Sequence, residues 1–127
     1  LASHKRRFTD GYSLSPSSLT SIPKESRIVL PSPNGSTLSL NTGKIKTLCG
    51  CLRNAEAIAK SALEFGKNIA VIPAGEKWED ETLRPSFEDL LGAGAIIRHL
   101  KGTFSPESLS AKILFENLQD QVLERVK

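Results

Sequence analysis

Three short stretches carry residues whose types and spacing could hold a phosphorylated anion and a hard metal ion. The first is Ser32-Pro33-Asn34-Gly35-Ser36-Thr37, where Gly35 lets the backbone approach a ligand and the free amides of a helix start can bind an anion. It is not a Walker loop, because no Gly-Lys-Ser/Thr follows. The second is Gly50-Cys51-Leu52-Arg53-Asn54, in which Arg53 could grip a phosphate, sulfonate or carboxylate with its planar fork and Asn54 stands at the start of a helix. The third runs from Glu76 through Asp89 and is dense in carboxylates. Magnesium takes oxygen ligands and commonly only one or two from protein, so carboxylates at this density could hold it.

Each stretch also has a plainer reading. A Ser or Thr cap on a turn explains Asn34 to Thr37 with nothing bound, and an arginine beside a helix N-cap is an ordinary surface residue. Ser86 and Asp89 have the Ser-x-x-acid spacing of a capping box, and acids in a first helical turn are favoured by the helix dipole. Glu88 and Asp89 are adjacent, so on a helix they point about 100° apart. His4 and His99 stand in no arrangement with a nucleophile or acid, and no catalytic residue is assigned.

Positioning these stretches requires strands and helices in alternation. Residues 10 to 26 are rich in Ser, Pro and Gly and read as loop. Arg27-Ile28-Val29-Leu30-Pro31 reads as a buried strand ended by a turn. Thr47 to Leu52 reads as a second strand, followed from Asn54 by a helix with Ala55, Ile58, Ala59, Ala62 and Leu63 on one face and Gly66 as its left-handed stop. Asn68 to Ala74 reads as a third strand. After a polar loop, Phe87, Leu90, Leu91, Ile97 and Leu100 mark a helix whose Gly92 and Gly94 predict a closely packed neighbouring backbone. Ser105-Pro106 opens a long helix with a stripe of Leu109, Ile113, Leu114, Leu118, Val122 and Val126.

The expected class is therefore α/β: a layered, mostly parallel sheet with flanking helices, read as one half of a larger domain. Residues 1–26 form a loop-rich N-terminal segment and 27–127 the α/β domain. In such folds ligands gather beyond the carboxyl ends of the strands, which selects the same three stretches.

At 127 residues the chain has room for one core. It begins at Leu1 and contains no Met, which predicts a piece of a longer protein. No run reaches the ~18 apolar residues of a membrane span and none resembles a secretion signal, so a cytoplasmic location is expected. Cys49 and Cys51 are two residues apart, a spacing that suits reduced thiols rather than a loop-closing disulfide. The net charge of +3, with its clearest cluster in the His4-Lys5-Arg6-Arg7 tail, excludes a basic nucleic-acid face.

Taken in order, Arg27 to Thr37, Gly50 to Ala59, Val71 to Gly75, Phe87-Glu88-Asp89 and Gly92-Ala93-Gly94-Ala95 resemble the C-terminal part of the 2-phosphosulfolactate phosphatase family. Tyr12 to Pro16 resembles the loop before the first of these, so the likeness covers most of residues 11 to 100. It implies an α/β enzyme that hydrolyses a phosphate monoester with magnesium, in the type case 2-phospho-3-sulfolactate to sulfolactate and phosphate during coenzyme M production. On that reading Asn34, Gly35, Ser36, Thr37, Arg53 and Asn54 hold the anion and Glu88 and Asp89 the metal. The partners implied are a small anionic phosphorylated substrate, the N-terminal half of the same protein and a second copy in a homo-oligomer, with no nucleic acid or membrane. The sequence departs from the family pattern in lacking an Asp-x-Leu-Arg-Ala-type segment and in a longer, more acidic stretch between Gly75 and Phe87. If the missing segment contributes to the site, this stretch alone is inactive. The competing reading is a non-catalytic α/β module that binds an anionic metabolite or a partner subunit.

Overall fold

The computed structural model describes residues 16–27 and 33–125 and divides into two units, Leu1–Asn41 and Thr42–Lys127. In the first unit a short 3-10 helix covers Pro16–Leu19, and helix α1 spans Pro33–Asn41. Proline at the first helical position needs no N–H there and brings a ready-made φ, which accounts for the start of α1. Of the strand expected at Arg27 to Pro31, residues 28–31 lie outside the described residues.

The second unit is built around three helices: α2 (Ala55–Phe65), α3 (Phe87–Ile97) and α4 (Pro106–Arg125). Helix α3 packs against both of the others. Its composition explains that position, because Ala93, Gly94, Ala95, Ile96 and Ile97 are all buried and a helix apolar on every side belongs inside. The core joins Ala55 and Ala59 of α2, Leu91, Ala95 and Ile96 of α3, and Phe115 of α4. Leu52, Ile58, Val71, Leu100, Leu114 and Leu118 close around it.

Gly94 explains how closely α3 and α4 approach. A Cβ at this position would lie 2.2 Å from the Ala111 carbonyl oxygen and 2.8 Å from the Phe115 Cβ, so only glycine admits the α4 backbone. Gly92 has open space around its missing side chain; the packing reason holds for one glycine of the pair. The apolar stripe of α4 also differs from expectation. Ala111 and Phe115 are its buried residues, while Leu109 and Ile113 are exposed, because the facing glycine draws the helix in on the Ala111 side.

Among the described residues the sheet content is one small hairpin, β1 (Glu76–Lys77) paired antiparallel with β2 (Leu83–Arg84), with Glu76 opposite Arg84 and Lys77 opposite Leu83. It lies in the stretch read as polar loop. Asp80 forms its turn: the carboxylate accepts from the Thr82 amide at 3.0 Å and the Thr82 hydroxyl at 2.6 Å, while Glu81 takes the left-handed φ of 67°. Lys77 pairs with Glu81, and Arg84 stacks over Trp78 at 5.5 Å. The strands expected at Thr47 to Leu52 and Asn68 to Ala74 are not in a ladder, and a layered parallel sheet is not formed among the described residues. Their apolar runs lie in irregular backbone because a strand needs a hydrogen-bonded neighbour, and none stands beside them among the described residues. Gly66 is not a left-handed stop either: at φ 161° and ψ 178° it is extended, leading α2 directly into the next segment.

Candidate functional site

Helix α1 begins at Pro33, so Asn34, Gly35, Ser36 and Thr37 form its first turn rather than a loop before it. The first amides of a helix have no intrahelical acceptor, which leaves this turn rich in donors. Ser39 returns its hydroxyl to the Gly35 carbonyl at 2.8 Å, tightening the turn. These residues belong to the first unit.

Arg53 and Asn54 belong to the second unit and sit just before α2. Arg53 is exposed, and among the described residues no ion pair engages it, so its guanidinium can meet an anion. Asn54 has a different task from the one expected. It makes no side-chain cap on α2; instead its Oδ1 accepts from the Cys51 amide at 2.7 Å and its Nδ2 donates to the Cys49 carbonyl at 3.2 Å. One amide thus clamps both sides of Gly50. Gly50 in turn lies against Ile96, whose Cδ1 would be 2.5 Å from an added Cβ. The clamp and this close contact fix the backbone that carries Arg53.

Glu88 and Asp89 occupy the first turn of α3. The Glu88 carboxyl is held below the usual glutamate range chiefly by its own backbone N–H, then by the Ser86 hydroxyl, with a further contribution from the Arg84 charge. Asp89 reaches away from the cap: its Oδ2 accepts from the Gly75 amide at 2.8 Å. The Ser-x-x-acid box is therefore replaced. Glu88 takes the local capping role, and Asp89 ties α3 to the residue that opens the hairpin. Gly75 is buried and has a φ of 68°, a conformation that favours glycine.

Sequence reasoning missed this tie because nothing in local spacing links residues fourteen positions apart. The detectable signal was a carboxylate three residues after a serine together with a glycine after Pro73-Ala74. Chemically the turn offers hard oxygen donors, the remaining Asp89 oxygen and the Glu88 carboxylate, which suit magnesium with its preference for one or two protein carboxylates. Among the described residues no group of three or more His, Cys, Asp or Glu side chains converges, so softer, all-protein metal cages are not built here.

Comparison with known proteins completes the picture. Residues 8–127 match the model of the 2-phosphosulpholactate phosphatase family. The chain is similar to the 2-phosphosulfolactate phosphatase of Methanothermobacter thermautotrophicus (strain Delta H), with 36% identity over 75 residues, covering 59% of this chain and 30% of that protein. The match thus spans less than a third of the relative's length. No solved structure matches. With the family pattern running from residue 8 to residue 127, the chain belongs to the 2-phosphosulfolactate phosphatase family.

Proposed function

We propose that this chain contributes to a phosphatase that hydrolyses the phosphate monoester of a small anionic hydroxy acid, of the 2-phosphosulfolactate type, with magnesium. The observation that carries the reading is the family match across residues 8–127, supported by the name of the 36% identical relative. In this proposal Arg53 binds and orients the anion and Asn54 holds its backbone in place, and the turn Asn34 to Thr37 of the first unit is an anion-binding element in its own right. Glu88 and Asp89 are the residues that would hold magnesium. When bound, the ion supplies charge neutralisation at the phosphate oxygens and a more acidic water. Phosphate monoesters need chiefly such positioning and charge stabilisation, which suits a site without a nucleophile and histidine pair. The proposal includes a cytoplasmic enzyme, a role in coenzyme M biosynthesis, and a parallel sheet completed by further strands.

A specific observation keeps a second reading in view. Asp89 already serves Gly75, and Asn54 already serves Cys49 and Cys51, while Arg53 stands exposed before α2; a non-catalytic module for an anionic metabolite would need little more than such an arginine. The two readings separate in one assay. Phosphate release from a panel of phosphorylated hydroxy acids is measured with and without magnesium, for the complete gene product and its Glu88→Ala variant. Magnesium-dependent turnover lost in the variant supports the enzyme and its metal ligand. Unchanged turnover removes Glu88 from the site, and binding without turnover favours the second reading. Glu88 is the better probe, since replacing Asp89 also removes a structural bond.

A further inference from the structure

We propose that Arg84 binds the carboxylate that the substrate carries beside its phosphate ester, and so selects phosphorylated hydroxy acids over plain phosphate esters. The inference rests on the phosphatase reading above and adds a specificity-determining residue to it.

Backbone contacts place Arg84 beside the residues that would hold the metal. A Cβ added at Gly75 would lie 3.2 Å from the Arg84 carbonyl oxygen, so β2 passes directly against the glycine whose N–H donates to Asp89 Oδ2 at 2.8 Å. From Arg84 the chain runs through Pro85 and Ser86 straight into the first turn of α3. The side chain lies close as well. The Glu88 carboxyl, held down first by its own backbone N–H and then by the Ser86 hydroxyl, is lowered further by the Arg84 charge. Arg84, Glu88 and Asp89 thus stand around one corner of the second unit.

The hairpin also fixes where the guanidinium sits. Opposite residues of an antiparallel pair share a face, and successive residues alternate between faces. With Glu76 opposite Arg84, and the ladder carried on by the Trp78 N–H donating to the Thr82 carbonyl at 2.9 Å, Arg84 and Trp78 fall on one face and Lys77 on the other. Lys77 is committed to Glu81, whereas Arg84 is half-buried and lies over the Trp78 ring at 5.5 Å. A guanidinium that gives its face to a ring keeps its N–H fork in its own plane, where a planar carboxylate can take two parallel hydrogen bonds. Because the Asp80 bonds to Thr82 brace the turn and the ring holds the side chain, little freedom is left to lose on binding.

The substrate class calls for such a group. A phosphorylated 2-hydroxy acid carries its phosphate and its carboxylate on neighbouring atoms of one small molecule, and near Glu88 and Asp89 that second anion meets like charge. Arg84 supplies the opposite charge at the same turn. The carboxylate does not change during phosphate release, so its contact is the same in the ground and transition states and appears in KM rather than in kcat.

The test uses the complete gene product and two esters that differ in the carboxylate alone, 2-phospholactate and isopropyl phosphate. With magnesium, Arg84→Gln is expected to raise KM for 2-phospholactate about tenfold or more, the weight of a hydrogen bond to a charged group, and to leave its kcat and both constants for isopropyl phosphate nearly unchanged. Arg84→Lys, which keeps the charge without the fork, is expected to recover part of the loss. Binding is read separately, without magnesium, from the fluorescence of Trp78, the single tryptophan of these 127 residues, taken as the signal that Trp78→Phe removes. 2-Phospholactate is expected to shift it saturably and more strongly than isopropyl phosphate, a difference that Arg84→Gln abolishes. Equal losses on both esters, as a purely structural stack on Trp78 would give, overturn the proposal, and so does an unchanged KM for 2-phospholactate. Lost discrimination only between 2-phosphosulfolactate and 2-phospholactate would assign Arg84 to the sulfonate and also overturn it. If the parent turns over neither ester, the phosphatase reading fails, and the Trp78 titration still decides whether Arg84 holds the carboxylate.

Discussion

The carboxylate of Asp89 accepts a hydrogen bond from the backbone N–H of Gly75 at 2.8 Å, binding the first turn of α3 to the start of the hairpin. Gly75 is buried, so its amide has little access to water if that acceptor is lost. Leaving a buried donor unsatisfied costs about 1–3 kcal/mol. Asp89→Ala is expected to lose that order of stability, and Asp89→Asn, which keeps an acceptor oxygen, clearly less. Urea unfolding of the two variants checks this. Equal losses would show that charge at the helix start, and not the bond to Gly75, is what matters.

Gly92 and Gly94 stand two residues apart on α3 and should respond oppositely to alanine. At Gly94 the new Cβ meets the Ala111 carbonyl oxygen at 2.2 Å, and backbone cannot step aside as a side chain can. Overpacking of this kind costs about 1–3 kcal/mol, so Gly94→Ala is expected to lower the melting temperature markedly. At Gly92 nothing lies within 4 Å, and alanine gains about 1 kcal/mol of helix propensity. Gly92→Ala is expected to raise it. Thermal unfolding followed by circular dichroism reads both, and a loss at Gly92 would mean that α3 is not helical there in solution.

This pair also shows what was legible beforehand. Two glycines inside an apolar helix pattern announce close packing, but only the facing Ala111 backbone decides which one needs it. Helices α2, α3 and α4 follow from apolar periodicity and from Ser105-Pro106. The runs at Thr47 to Leu52 and Asn68 to Ala74 have the composition of strands, yet composition does not supply the neighbour that makes a ladder. The site divides in the same way. Exposed Arg53 was legible because an arginine before a helix is local information. The second roles of Asn54 and Asp89 were not, because each depends on where the backbone of another segment passes.

Asn54 is expected to matter through the backbone it clamps. Asn54→Ala removes both the acceptor for the Cys51 amide and the donor to the Cys49 carbonyl. Each such bond contributes about 0.5–1.5 kcal/mol net, and exposure at this site places the effect at the lower end. The sharper readout is local: the Cys51 amide should exchange faster in Asn54→Ala, while Asn54→Asp, which retains an acceptor, should keep it slow. Unchanged exchange in Asn54→Ala would remove the clamp.

Acid sensitivity should arise in part from the first turns of α3 and α4. The Glu88 carboxyl is lowered by its own backbone N–H and then by the Ser86 hydroxyl, and Glu107 likewise by its own N–H and then by Ser105. A carboxyl whose folded value is depressed contributes stability above its unfolded value, and that contribution is lost as pH falls through the folded value. The window therefore opens near the ordinary glutamate value of about 4.3 and extends downward. Both side chains are exposed, so the contribution is modest and screened by salt. The double variant Glu88→Gln, Glu107→Gln is expected to melt with a shallower decline below pH 4.3 than the parent, and the difference should shrink in 1 M salt. Parallel melting curves for the two proteins across that range would show that these carboxylates act no differently folded than unfolded.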